Sequence, residues 1–253
     1  MMTIRRSEER RHIEEKNRQT WMTFDWQNEK DPLHEGFGVL KILNEAVLSP
    51  GTGFVLHTHH DMVVVTYVQE GMVVYKGPLE ESEALMGEEF HAIRSDKEDK
   101  QFLINTSPLD NSHIFQSSFT PRAGSPKVGA KKKLFTYAER NGVLKLIASP
   151  DGRDASLPLQ QDVQIYSTYI HKGNHMIHEL YPGRIAWLHV VKGNILINGT
   201  FLHTGDGVGL SEEITVSFTA QEATEILLFD LGQPLHNGKQ TIPSNKRSAG
   251  ILL

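Results

Sequence analysis

The sequence contains no cysteine. Disulfides, thiolate catalysis and Cys-ligated zinc or iron–sulfur centres are therefore excluded, and any metal must rest on His, carboxylate or amide donors. No run of about 18 apolar residues occurs, so a helical membrane span is not expected. Residues Met1 to Lys16 are charged throughout and lack the apolar centre of a secretory signal, which points to a cytoplasmic protein. A concentrated basic face is missing as well. With 26 Lys+Arg against 31 Asp+Glu, both signs interspersed, the formal charge is −5 and nucleic acid is not an expected partner. There is no Gly-rich phosphate loop and no Gly-x-Ser-x-Gly nucleophile motif. Helical periodicity is scarce.

What is present is a succession of short apolar runs broken by 21 Gly and 11 Pro, the pattern of an all-β chain. The strongest strand expectations are 63–68, 72–75, 113–119, 164–170, 185–191, 194–197 and 225–229, all rich in β-branched or aromatic residues. Setting Gly71 on Gly193, an offset of 122, superimposes Tyr67 to Gly77 on His189 to Gly199, with two glycines six apart in each. The same offset brings Gly51 onto Gly173 and Met86-Gly87-Glu88 near Thr204-Gly205-Asp206. One strand-dense unit has been duplicated, which suggests two small jelly-roll barrels. Between them, Pro121 to Lys133 is polar and rich in chain breakers. Its three consecutive lysines read as a solvated linker.

Thirteen histidines are the inventory for metal chemistry. In His57-Thr58-His59-His60-Asp61-Met62, residues i and i+2 of a strand share a face, so His57 and His59 present two imidazoles side by side. Such a pair serves as metal ligands, or as surface and hydrogen-bonded histidines. The 122 offset places Glu179 and Tyr181 at the matching positions, so the second unit lacks the pair. His171, His175, His178, His189 and His203 are read as structural; the three-residue spacing of His175 and His178 suits a bend or a helix better than a strand. His113 is likewise structural. Trp21, Phe24 and Trp26 either pack an N-terminal strand onto the core or line an entrance to the first barrel.

Several segments together resemble the pirin family of the cupin superfamily, in particular bacterial pirin-like bicupins. They are Arg5 to Arg10, Asp31-Pro32 through Gly38 with Asn44-Glu45, Pro50-Gly51 through Phe54 and the His57 to Met62 motif. In the second half they are Ile147 to Arg153, His178-Glu179-Leu180 with Pro182-Gly183-Arg184, Gly205-Asp206-Gly207 and Leu227 to Leu231. The resemblance spans almost the whole chain and implies two stacked cupin barrels, with a metal site in the N-terminal one. It further implies one divalent transition ion (Fe, Ni, Mn or Zn) held by an HxH pair and a later His-x-Glu. Some members act as quercetin 2,3-dioxygenases on a flavonol, and a nuclear relative is a transcription cofactor. His57 and His59 match the first pair. The later His and Glu fall on Gln101 and Leu103, or in the other register on Lys100 and Phe102, and Val63 stands where an acidic residue is expected. Glu98, Asp99 and Gln101 are outside candidates for substitute ligands, as is His91 on a neighbouring strand.

The expected architecture is therefore an all-β protein of two tandem cupin jelly-roll domains. The first spans residues 1–122, a linker 123–135, the second 136–235 and a C-terminal tail 236–253. The expected function is a pirin-like bicupin with an incomplete N-terminal metal site, a monomer binding a small molecule or protein partner with weak or no metal binding. The alternative is a metal-dependent quercetin 2,3-dioxygenase-type oxygenase with His57 and His59 as ligands and a flavonol-like aromatic substrate.

Overall fold

The computed structural model describes residues 1–56, 62–77, 82–95, 101–120 and 129–232. The expected strands all lie inside observed ones, and the chain folds as two stacked β-barrels. In the first, a seven-stranded sheet runs in spatial order Lys131–Leu134, Glu89–Ser95, Met62–Glu70, Ser112–Phe119, Leu40–Leu48, Arg18–Met22 and Arg11–Glu15. Facing it is a four-stranded sheet of Gly53–Leu56, Gln101–Ile104, Met72–Lys76 and Ser82–Met86. The second barrel repeats the plan. Its large sheet runs Met2–Arg5, Gly207–Leu210, Ile185–Lys192, Thr224–Leu231, Val163–Ile170, Lys145–Ser149 and Leu157–Pro158, and its small sheet His175–Glu179, Thr215–Ala220, Asn194–Ile197 and Thr200–His203.

The duplication read from sequence is visible at its pivot. Gly71 and Gly193 both sit at positive φ, 84° and 89°. A Cβ on Gly71 would fall 2.6 Å from the Asn111 carbonyl oxygen, and one on Gly193 would fall 2.5 Å from that of Ala223. Only glycine is admitted by such a turn. Beside each, one hydroxyl fastens the next strand. Ser112 Oγ accepts from Met72 N at 3.2 Å and donates to Met72 O at 2.7 Å, while Thr224 Oγ1 does the same for Asn194 at 3.1 and 3.0 Å.

Both large sheets exchange an edge. Met2–Arg5, grouped with the first barrel in the sequence reading, pairs antiparallel with Gly207–Leu210 of the second. Lys131–Leu134, grouped with the linker, pairs with Glu89–Ser95 of the first. Lysine suits that place because an edge strand blunted by charge resists pairing with other chains. Lys132 Nζ donates to the Ala84 carbonyl and faces Glu89.

Burial explains the sequence pattern of the central strands. The run Met62 to Val68 is buried at every position rather than at alternate ones, because both faces of its sheet are covered. Val64 and Val68 point into the first barrel, whereas Val65 and Tyr67 point to the second. There Leu43, Tyr67, Phe90 and Phe115 meet Ile165, Trp187, Leu227 and Phe229 in one apolar layer between the barrels.

A charged cluster interrupts that layer. The capping box Thr136-Tyr137-Ala138-Glu139, in which Thr136 accepts from Glu139 N, starts a one-turn helix that delivers Arg140 into the interface. Arg140 is fully buried. Its guanidinium donates to Tyr67 Oη and Ser167 Oγ at 3.0 Å, Glu225 Oε1 and Tyr169 Oη at 3.1 Å, and Glu88 Oε1 at 3.2 Å. Burial pushes the Glu225 carboxyl above the usual range, against the pull of Tyr67 and Arg140. Replacing Arg140 by Ala strands that carboxyl, and we expect a loss of about 3–5 kcal/mol in denaturant unfolding. The double variant Arg140→Met/Glu225→Leu removes both charges and is expected to recover most of it.

Candidate functional site

A cavity of about 530 Å³ opens in the first barrel, lined by Arg11, Arg18 and Thr20 from the N-terminal hairpin, Phe24, Trp26 and Gln27 beyond it, and Asn44, Phe54, Val64, Gln116 and Ser118 from the barrel strands. That volume suits a small organic ligand. Its walls follow from the period of two along each strand. Register sets His91 opposite Thr66, Thr66 opposite Gln116, and Gln116 opposite Asn44, so four polar side chains form one row across the inner face of the large sheet. Gln116 Nε2 donates to Thr66 Oγ1 at 3.3 Å. Over the entrance, the Arg18 guanidinium lies 5.2 Å from the centre of the Phe54 ring. Phe24 and Trp26 do line this entrance, although Phe24 also packs edge-on against Trp187 at 4.9 Å. Trp21 instead stacks on His12 at 4.7 Å.

Deeper in the barrel lie the described members of the expected metal set. His57, His59 and Glu98 lie outside the described residues. Gln101 and Leu103 alternate inward on their strand while Phe102 and Ile104 are less buried. Leu103 is wholly buried in an apolar cluster with Val73, Tyr75 and Leu85. Gln101 is also buried, and its Oε1 has no hydrogen-bond partner among the described residues. A leucine supplies no lone pair and a carboxamide supplies a weak one, so these residues do not fit the four-ligand centre that the family resemblance implies. Among the described residues no group of three or more His, Asp or Glu is placed to hold a metal.

His91 also faces the interior. It is 1% exposed, tilted against the Tyr75 ring at 4.7 Å, with Glu83 Oε2 3.5 Å from Nε2 and neither ring nitrogen hydrogen-bonded among the described residues. Burial, helped by the charge of Lys132, depresses its pKa to about 4. A charged imidazole is disfavoured there because neither ring nitrogen finds a hydrogen bond among the described residues to replace its lost hydration.

Four of the histidines read as structural, His113, His175, His178 and His203, make hydrogen bonds to neighbouring side chains. His113 Nε2 lies 2.8 Å from Glu45 Oε1, His178 Nε2 lies 2.9 Å from Asp230 Oδ2, and His203 Nδ1 lies 2.8 Å from Asn194 Oδ1. His175 and His178 do not form a bend or helix; both lie on the strand His175–Glu179, where neighbouring Thr219 and Ser217 hold His175 outside. Sequence reasoning did not single out Arg11, Arg18, Asn44, Thr66 or Gln116. The available signal was alternation: Leu43-Asn44-Glu45-Ala46 and Phe115-Gln116-Ser117-Ser118 place a polar group at an inward position of a central strand.

Two stacked barrels of this topology, one with an inward polar row and an open cavity, define a bicupin. Comparison with known proteins is specific. The quercetinase C-terminal cupin domain profile matches residues 146–231. Quercetin 2,3-dioxygenase of Escherichia coli K12 is 32% identical over 231 residues, covering 91% of this chain and 99% of the relative. A pirin-like protein of Caulobacter vibrioides is 27% identical over 82% of this chain and 89% of its own length. The crystal structure of YhhW from Escherichia coli superimposes with a TM-score of 0.85 at 31% identity, over 93% of this chain and all of that one. The nickel(II) complex of the same bacterial pirin superimposes at 0.83, with 31% identity over 92% of this chain and all of that one. The chain belongs to the pirin family.

His91 should remain neutral throughout the physiological range. In the unfolded chain it titrates at about 6.5 and in the fold at about 4, so its contribution to stability is intact above 6.5 and falls away as the pH drops toward 4. The difference corresponds to about 3 kcal/mol. Nuclear magnetic resonance of the ring protons across pH 3–8 should show a midpoint near 4 for this residue.

Proposed function

We propose that this pirin-family chain is a small-molecule-binding bicupin whose first-barrel cavity takes a flat aromatic ligand, and whose metal centre is reduced to His57 and His59. Leu103 is the observation that supports this reading. Where the family resemblance places a carboxylate that would bind a metal and act as base, an apolar side chain is packed among Val73, Tyr75 and Leu85. Two imidazoles hold a divalent ion weakly, and loss of even an outer partner lowers affinity or activity about 10–100-fold. A carboxylate within reach of a substrate hydroxyl, as proton abstraction requires, is missing at that place too. The cavity walls remain suited to aromatic rings: Phe24, Trp26 and Phe54 offer faces and edges, and Asn44, Gln116 and Ser118 orient polar substituents.

The second reading is a metal-dependent oxygenase of quercetin 2,3-dioxygenase type, with His57 and His59 as ligands and iron, nickel, manganese or zinc as the ion. The identity to the Escherichia coli quercetin 2,3-dioxygenase and the nickel complex of its bacterial pirin favour it.

Elemental analysis of protein purified without added metal separates the two. We expect far less than one equivalent of metal, no oxygen consumption with quercetin after reconstitution, and raised metal affinity in the Gln101→His/Leu103→Glu double variant. One equivalent of iron, nickel or manganese, lost in His57→Ala/His59→Ala and accompanied by oxygen consumption, would establish the oxygenase instead.

A further inference from the structure

The charge on the cavity wall is opposite in sign to that of the chain. The sequence carries five more acidic than basic residues, yet among the described residues the charged side chains lining the cavity are Arg11 and Arg18, and no described carboxylate joins them. Among the described residues the remaining polar lining includes the hydroxyls of Thr20 and Ser118 and the amides of Gln27, Asn44 and Gln116. Each guanidinium has one acidic neighbour outside the lining. Arg11 Nη1 donates to Asp25 at 3.2 Å and to Gln27 at 2.5 Å, and Arg18 Nη2 donates to Glu15 at 2.7 Å. Glu15 is more than half exposed, so water screens its pull on Arg18. Arg18 Nε has no acceptor among the described residues, and its guanidinium plane is set against Phe54. A guanidinium lying on an aromatic wall, with donor capacity left over, is built to receive an anion attached to a ring.

We propose that the ligand of this cavity is an aromatic carboxylate, its ring against Phe54 and Trp26 and its carboxylate on Arg18, with Arg11 adding positive potential at the same mouth. This specifies the ligand class of the reading above and rests on it. A neutral aromatic would leave the guanidinium of Arg18 facing an apolar ligand, partly stripped of water and held by Glu15 alone among its described acidic neighbours. An acidic one completes its hydrogen bonds, so the sign of the ligand's charge is selected along with its shape.

A matched pair of probes tests it: 4-hydroxycinnamate and its methyl ester, titrated into the full chain by calorimetry at low salt, with quercetin as a third ligand. The acid is expected to bind about tenfold or more tightly than the ester, consistent with charge-assisted hydrogen bonding. That advantage should shrink as ionic strength rises. Arg18→Gln should abolish the preference, with circular dichroism and the thermal midpoint reporting that the variant is folded, and Arg11→Gln should reduce it. Equal binding of acid and ester, or binding of quercetin alone, overturns the inference and leaves the cavity as an aromatic-binding site. Failure of all three ligands to bind overturns both.

Discussion

Each large sheet is covered on both faces, by its own small sheet on one side and by the opposite barrel on the other. That two-sided burial governs most of what the molecule can do. Along Met62 to Val68, odd positions build the layer between the barrels and even positions build the barrel interior, so one strand serves two environments at once. An insertion of one residue would exchange the two sets, moving Tyr67 from the layer with Arg140 and Glu225 into the barrel. The interface thereby fixes the register of the cavity wall. Thr66, His91, Gln116 and Asn44 sit in line because Tyr67, Phe90, Phe115 and Glu45 sit in line behind them.

The two barrels have kept a common frame and filled it differently. Inside the second, Leu188, Val190, Ile195, Phe218 and Leu228 pack in one buried apolar cluster. In the first, the inner row is polar and the entrance open. At Leu103 its interior is apolar, packed with Val73, Tyr75 and Leu85. The charged groups that remain stand at the mouth. On the reading proposed above, such a cavity selects ligands by shape and charge at its rim more than by bonds at its floor.

Much of this was legible in the sequence, and the failures have physical causes. The strand runs and the duplicated Gly71 and Gly193 turns are local signals, and the structure shows both turns with the same steric demand. Edge pairing is not local: Met2 to Arg5 and Lys131 to Leu134 are short and charged, and nothing within them names a partner strand. The lysine run looked like a linker because an edge strand and a solvated loop share that composition. His175 and His178 misled for a related reason, since spacing reports periodicity only where one face is buried, and this strand lies at a sheet edge. Arg11 and Arg18 were hidden among balancing acids. Their role depends on which residues the hairpin turns toward the cavity, and charge counting cannot show that.

The exchanged N-terminal strand has a consequence for how the molecule is made. Met2 to Arg5 takes its place beside Gly207 to Leu210, so it leaves the ribosome about 200 residues before its partner exists. Throughout that interval the segment ahead of the hairpin Arg11–Glu15 and Arg18–Met22 is without the strand it pairs with in the fold. Docking of that segment is then a late event that reports completion of the second barrel. The Arg6 guanidinium, which donates to Asp206 Oδ2 at 2.9 Å, and the Ser7 amide, which donates to Asp206 Oδ1 at 2.7 Å, act as the closing clasp. A nascent chain stalled before Asp206 would lack both acceptor oxygens of that clasp and the strand beside which Met2 to Arg5 is seated.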